Sequence, residues 1–483
     1  MGRRPRRRRR PPGARTGPRG PGRRAAGHTR RAGRTCRPLG AGSGTGAGAR
    51  AGRSRRGGGA GRGDLRPGAP SPPGRPGPPG AGQPSRALVP DLVRGRGPPA
   101  LPKGDTDHGG VPVTEPWVGT VSSLAPLVER HVAEAERARR PHPEVSAALV
   151  ERGLFKLWVP RDHGGTELGL PASLAVFEAA ARLDGSFGWT VAIGAGGGLF
   201  GGFLEPTAAA EVFGPRDALV AGSGAPGGTA DERAGGYRVS GRWRFASGAH
   251  AATCFTANCV VHRRGEPVLD ASGRRVVRAV AVPPAAVEVL DTWDPIGLRG
   301  TDSHDMAIAG RDVTLPFTFS VFDPPHQPGP LYRYPFMAIA EASFAALVLG
   351  LARRGLDLFT ALAEHKVPYG FEAPLATMAE VDRRLAEAGG RLDAARAALG
   401  DAVGPTWATV AAGGVPSAAS TALVGRAARG CARAGDRAVG ALVEVAGMSV
   451  LPMASPFGRA WRDLHALLAH GVFSPLRDAT PET

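Results

Sequence analysis

Several side chains in this sequence are of types that do chemistry only when spacing and backbone shape allow it. His470 is an imidazole, the group whose ordinary pKa lies nearest neutrality and so suits acid-base exchange at physiological pH; it comes shortly after the Arg462-Asp463 pair. Arg299 stands between Gly297 and Gly300, glycines that let the backbone turn tightly and aim a permanent cation into a cleft. Phe245 and Ser247 are two apart in a run that reads as a strand, and strand alternation predicts that they share one face. An apolar ring beside a hydroxyl suits a flat ligand that needs a wall and a polar contact at its edge. Ser223 belongs to the Gly-rich run Ala221-Gly222-Ser223-Gly224-Ala225-Pro226. His163, in a Gly-Gly turn, His304, at a strand entry, and His465 read as structural. Cys36, Cys254, Cys259 and Cys431 show neither paired nor metal-ligand spacing, so neither a disulfide framework nor a metal site is expected.

The elements that must position these residues emerge once the two compositions of the chain are separated. Of the 483 residues, the first 104 hold 25 Arg and one Lys against only Asp64 and Asp91, a charge of +24 in a chain whose total is +19, so the remainder is mildly acidic. With few large apolar residues, residues 1–112 cannot offset the entropy of ordering and are expected to be disordered. Their monotony resembles translated GC-rich sequence upstream of a true start. Nucleic acid is expected as a partner only through this basic segment, by electrostatics alone; a nucleic-acid or scaffold protein with an inactive body is the corresponding alternative. No apolar stretch reads as a signal peptide or a bilayer span, so no membrane association and a cytoplasmic location are expected.

Beyond the segment, apolar residues from Trp117 to Ala135 recur at helical spacing. Further helices are expected from Pro143 to Gly153 and from Pro171 to before Gly185, with Pro at the first turn and Gly past the last. Strands take over from about Ala218, punctuated by Gly235-Gly236, Ser240-Gly241 and Ser247-Gly248, and continue at 255–261, 276–282 and 306–308. Helical periodicity returns at 336–365, 374–399, 418–446 and 459–470. The expected fold class is α+β: an N-terminal helical domain over 113–217, a middle antiparallel β-barrel or sandwich over 218–323, and a C-terminal helical bundle over 324–483.

On this layout, the segment Gly235-Gly236-Tyr237-Arg238-Val239-Ser240-Gly241-Arg242-Trp243-Arg244-Phe245-Ala246-Ser247-Gly248-Ala249 resembles the flavin-proximal strands of the acyl-CoA dehydrogenase superfamily, with its best match in the reduced-flavin-dependent monooxygenase branch. Val159-Pro160 through Gly164-Gly165, Asp291-Thr292-Trp293 through Asp305, and Arg462-Asp463-Leu464-His465 through His470 agree in order and spacing. The resemblance implies that Phe245 packs on the isoalloxazine ring, that Ser247 meets its N5 and O4 edge, and that Ser223 and Arg299 also contact the flavin. It implies that His470 does the acid-base work.

By the same resemblance the chain is expected to be a flavin-dependent oxidoreductase, a monooxygenase that takes FMNH2 or FADH2 from a separate NAD(P)H:flavin reductase and oxygenates an aromatic or polyketide-like small molecule. Relatives assemble as tetramers, and the Ala- and Leu-rich faces near 339–351 and 385–399 are the expected surfaces of a homotetramer. The alternative is an acyl-CoA dehydrogenase holding FAD. That reaction needs a carboxylate base, and the segment 447–456, where relatives carry one, reads Gly-Met-Ser-Val-Leu-Pro-Met-Ala-Ser-Pro; Glu341 is the nearest substitute. A His that monooxygenases often place after Gly-Trp is missing beyond Gly188-Trp189, and no Arg-Gly clamp on the dinucleotide is recognisable near 367–370, which implies weak, diffusible flavin binding.

Overall fold

A computed structural model describes residues 114–478; the segment expected to be disordered, 1–112, lies outside the described residues. The single helix expected through 117–135 is two, α1 (Thr114–Ser122) and α2 (Ala125–Ala138). Pro126, in the first turn of α2, has no N–H to donate and its ring obstructs a continuous helix. Next come α3 (Pro143–Glu151) and α4 (Leu170–Leu183), both begun by proline as the sequence predicts. The Gly-broken apolar stretch beyond Gly188 is in fact helical: α5 spans Gly185–Gly198, and α6 spans Pro206–Phe213. Glycine weakens a helix by about 1 kcal/mol against alanine, but here it permits contact. A Cβ on Gly188 would lie 2.5 Å from Ala181 Cα on α4.

The middle region is one eight-stranded sheet: β1 (Val220–Arg233), β2 (Gly236–Ala246), β3 (Cys254–Arg263), β4 (Glu266–Pro267), β5 (Val277–Val282), β6 (Glu288–Leu290), β7 (His304–Thr314) and β8 (Thr318–Phe319). Its order is β6-β7-β2-β1-β3-β5-β8, with β4 beside β3. The sheet is mixed, not wholly antiparallel as expected, because β1 and β3 run parallel. The chain leaves β2 and crosses the starting end of β1 in residues 247–253. There Thr253 N–H donates to Leu219 O at 2.9 Å and Cys254 enters register with Val220. Trp243, fully buried among Val239, Phe255, Met306 and Val280, anchors the core of the sheet and donates its indole N–H to Asn258 O at 2.7 Å; truncating such a residue to alanine costs about 3–5 kcal/mol.

The helices α7 (Pro330–Arg333), α8 (Phe336–His365), α9 (Ala379–Ala411), α10 (Ala418–Ala446) and α11 (Pro456–Leu468) complete the chain. The helix expected over 374–399 continues through Gly400 and carries Pro405 inside it. By length and composition α8 would cross a bilayer, but 78% of its apolar window is buried within the fold. It is the central strut, packed by α4, α9, α10 and α11. The same packing takes up one of the two expected assembly surfaces: Ile339 and residues 342–351 of α8 are buried within a single chain, whereas on α9 Ala388, Leu392 and Leu399 are buried and Ala386, Ala394, Ala397 and Ala398 stay exposed.

Candidate active site

The junction of α5, α8, the β2 crossover and the loop after α11 brings Ser247 and His470 to the same indole. Asp184 caps α5 by accepting the Phe187 N–H at 3.1 Å, and the close approach of Gly188 to α4 fixes the rotation that turns Trp189 inward. Trp189 Nε1 donates to Ser247 Oγ at 2.9 Å. Its ring stacks on Phe344 of α8, with centroids 5.0 Å apart and planes 30° from parallel, and lies 5.9 Å from the imidazole of His470. Phe344 meets that imidazole edge-on at 4.7 Å.

Ser247 Oγ also bonds Ser303 Oγ at 2.7 Å, and Ser303 Oγ bonds Thr301 Oγ1 at 2.7 Å. Thr301 donates to Leu298 O at 2.9 Å. The loop carrying these hydroxyls turns twice through the left-handed region, at Leu298 (φ 54°) and Asp302 (φ 55°). It is pinned from both sides. Asp463 of α11 accepts the Leu298 N–H at 2.6 Å, and the buried Asp302 carboxylate takes both the backbone N–H and the Nδ1 of His250 at 2.7 Å. His304 Nδ1 accepts the N–H groups of Thr292 and Trp293 at 3.1 and 3.2 Å, a structural use of that ring. His250, Asp302 and His304 also form a group whose ligand atoms lie within 4.8 Å of one another.

Behind the loop lies a buried ionic cluster. Arg462 pairs with Glu136 of α2 at 2.7 Å, and Arg459 lies 3.7 Å from both Glu136 and Asp184. Burial raises the pKa of Asp184. Burial, reinforced by the neighbouring Asp184 charge, raises that of Asp463 well above the ordinary carboxylate value; two carboxylates in one desolvated site resist ionising together.

The remaining expected site residues stand apart from this junction. Phe245 and Ser247 do not share a face by strand alternation. Trp243 pairs with Met306 and Ala246 with His304, so Arg244 and Phe245 together oppose Asp305 alone, a β-bulge. The bulge puts Phe245 at φ 67°, leaves its ring 52% exposed while Ser247 is 8% exposed, and ends the strand before Ser247. Arg244 lies over the Phe245 ring at 4.6 Å and Trp293 meets it edge-on at 6.0 Å. Arg299 donates to Asp294 at 2.7 Å, to Pro295 O at 2.8 Å and to Glu136 O at 3.3 Å, so its charge is engaged by its own loop and by α2. Ser223 is half-buried in β1 opposite Ala257, at the edge of a bulge over 224–227, and not in a free loop.

His470 is exposed and comes after α11 instead of riding on it; its Nδ1 accepts the Val472 N–H at 3.2 Å. Sequence reasoning missed Trp189, Ser303 and Phe344. The signal that could have found them was Trp189 itself, since a buried indole N–H requires an acceptor. A cavity of about 420 Å³ adjoins the junction, lined by Val150, Phe155, Thr190, Leu219, Gly248 and Ala251 among others; Thr190 and Gly248 are the chain neighbours of Trp189 and Ser247.

Two family models match the chain, that of the acyl-CoA dehydrogenase N-terminal domain at residues 122–204 and that of the acyl-CoA dehydrogenase C-terminal domain at residues 342–475. The chain belongs to the acyl-CoA dehydrogenase superfamily. Among its relatives, the indole-3-acetate monooxygenase of Pseudomonas putida is 28% identical over 342 residues, 70% of this chain and 85% of the relative. The oxygenase subunit HsaA of a flavin-dependent monooxygenase from Rhodococcus jostii is 28% identical over 374 residues, 74% of this chain and 94% of that one. The crystal structure of the 3-HSA hydroxylase from Rhodococcus sp. RHA1 superposes with a TM-score of 0.68 at 25% identity, covering 75% of this chain and 94% of its own. The superfamily resemblance of the sequence is thus borne out, together with its leaning toward the monooxygenase branch.

Proposed function

We propose that this superfamily member is the oxygenase component of a two-component monooxygenase, which takes FMNH2 or FADH2 from a separate NAD(P)H:flavin reductase and hydroxylates an aromatic or polyketide-like substrate in the cytoplasm. One observation carries the proposal: Trp189 touches both Ser247 and His470, so the group assigned to the cofactor edge and the group assigned to proton handling border one site. The residues present fit a flavin. The Phe245 ring, set by its bulge, is half exposed and offers an apolar surface beside Trp293, and the cavity bounded by Thr190, Leu219, Gly248 and Ala251 begins one residue along the chain from Ser247. When bound, reduced flavin supplies the electrons that activate O2.

The protein's own residues would bind, orient and move protons. The His470 ring lies beside the stacked pair, edge-on to Phe344 at 4.7 Å and 5.9 Å from Trp189. Because Nδ1 accepts the Val472 N–H, the proton of the neutral imidazole is on Nε2. In this arrangement Nε2 donates, steadying an oxygen anion of substrate or oxidant; accepting a phenolic proton requires the contact with Val472 to open. Dehydrogenation finds less support. Glu341, the substitute base, is buried at 3.3 Å from Arg429 and lies flush against Gly425. Assembly as a homotetramer belongs to the same proposal, with exposed Tyr369, Phe371, Met448, Leu451 and Met453 outside the single-chain core as contact candidates, and sedimentation velocity tests it.

The deciding experiment mixes the protein and reduced FMN or FAD with oxygenated buffer containing a panel of phenols and indoles, and measures hydroxylated product against hydrogen peroxide. Product dependent on the protein is expected. Tight FAD that is bleached by acyl-CoA thioesters, with no hydroxylation, would refute the proposal.

A further inference from the structure

A hydroxyl has one proton and two lone pairs, and that arithmetic fixes the direction of every bond in the chain behind Ser247. Thr301 gives its proton to Leu298 O, a carbonyl that cannot donate in return. In the 2.7 Å bond between Thr301 and Ser303 the donor is therefore Ser303. With its proton committed there, Ser303 must accept from Ser247 across their 2.7 Å bond. Ser247 in turn accepts the Trp189 N–H, a group that only donates. All four links are held: Trp189 is stacked on Phe344, Ser303 and Thr301 are 4% and 2% exposed, and the loop is tied to Asp463 and His250. Ser247 Oγ is left with one lone pair and no proton to offer.

We infer that the Thr301-Ser303 relay makes the site selective for reduced over oxidised flavin, by holding Ser247 as a pure acceptor. The inference rests on the reading that Ser247 meets the flavin at N5. Reduced flavin carries N5–H, a donor that matches the remaining lone pair; oxidised flavin presents a bare N5 lone pair, which opposes it. The flavin O4, an acceptor in both states, gains nothing from Ser247 in this polarity, so N5–H is the matched contact. A spent, oxidised cofactor would then be released to the reductase. Thr301 and Ser303 are positioning residues in this account: they touch neither flavin nor substrate and act only by directing the Ser247 proton.

The test is equilibrium binding of FMN, oxidised and in its dithionite-reduced form, under anaerobic conditions, to the whole protein and its variants. Ser303→Ala removes the acceptor for the Ser247 proton, and Thr301→Val lets Ser303 donate elsewhere. Both free Ser247 to donate to oxidised N5, and each is expected to lower the preference for reduced FMN about tenfold, the worth of one matched against one mismatched hydrogen bond. The midpoint potential of bound FMN should fall by about 30 mV for that factor. Thr301→Ser keeps the relay and should leave the preference unchanged, which separates polarity from packing. If Ser303→Ala and Thr301→Val leave the ratio intact while Ser247→Ala alters it, the relay is overturned and the flavin reading stands. If Ser247→Ala changes neither affinity, Ser247 does not meet N5, and both the reading and the inference are overturned.

Discussion

Replacing His470 by asparagine and by alanine separates what that residue does for the fold from what it does for the reaction. In the structure its Nδ1 accepts the Val472 N–H at 3.2 Å, capping the short turn Gly471–Phe473. Asparagine is among the best capping residues and would keep this bond, whereas alanine forfeits about 0.5–2 kcal/mol. A cap this long and this exposed belongs near the lower end of that range. For domains of 150–250 residues, 1 kcal/mol moves Tm by about 2–4 °C, and the larger body here moves less. His470→Ala is therefore expected to melt no more than about 3 °C below the parent, and His470→Asn within about 1 °C of it. The reaction should respond differently, because neither substitute exchanges protons near neutrality. Both variants are expected to lose on the order of 100-fold in the hydroxylation step, with oxygen consumption diverted to hydrogen peroxide. Paired thermal melts and single-turnover product yields supply the measurements. Full product yield from His470→Asn would refute the acid-base assignment and leave His470 as a cap alone.

Three further substitutions probe how the site is held. Trp189→Phe keeps the stack on Phe344 but removes the donor to Ser247; a stability loss of about 0.5–1.5 kcal/mol and poorer coupling of oxygen use to product are expected from melts and product assays. Gly188→Ala drives a methyl to within 2.5 Å of Ala181 Cα, and overpacking of this kind costs about 1–3 kcal/mol, so chemical denaturation should report the loss. Asp463→Asn retains an oxygen for the Leu298 N–H while deleting a carboxyl whose pKa is raised by burial and by Asp184. A carboxyl raised in the folded state stabilises below the ordinary carboxylate range and loses that contribution as pH climbs through the folded value. The melting temperature of the variant relative to the parent should thus increase as pH rises above the ordinary carboxylate range and level off once pH has passed the raised folded value; a difference that shrinks with pH would refute this account of the cluster.

How far the sequence reaches depends on whether the controlling force is local. The helices begun at Pro143 and near Pro171, and the limits of α8 at 336–365, were legible because a proline start and an apolar period are properties of the segment itself. The helix α5 was not, since its glycines read as breakers until their contacts with α4 and Val159 come into view. Pairing of β1 with β3 in parallel depends on where residues 247–253 carry the chain, which no turn signal announces. At the candidate site, His470 and Ser247 were legible by type, but the face assigned to Phe245 failed on one extra residue in β2, for a single insertion reverses every later side chain. Arg299 looked free because its partners, Asp294, Pro295 O and Glu136 O, include a helix far away in sequence. Trp189 was overlooked for the same reason: its partners lie on α8, on the crossover and after α11.

Those distant partners also explain why so much backbone constraint surrounds a few side chains. Four segments around Trp189 and Ser247 are each fixed through their main chain: Gly188 against Ala181, Thr253 N–H on Leu219 O, Leu298 N–H on Asp463, and Val472 N–H on His470. A site that discriminates by the direction of one proton must hold its oxygens within a few tenths of an ångström, because a hydroxyl free to rotate would serve either redox state equally. Side-chain packing alone tolerates such shifts, whereas hydrogen-bonded backbone does not. The buried carboxylates Asp184 and Asp463 fit the same logic. Their mutual repulsion is an electrostatic cost, and their carboxylates anchor the start of α5 and the turn at Leu298, the two places from which Trp189 and the hydroxyl relay are aimed.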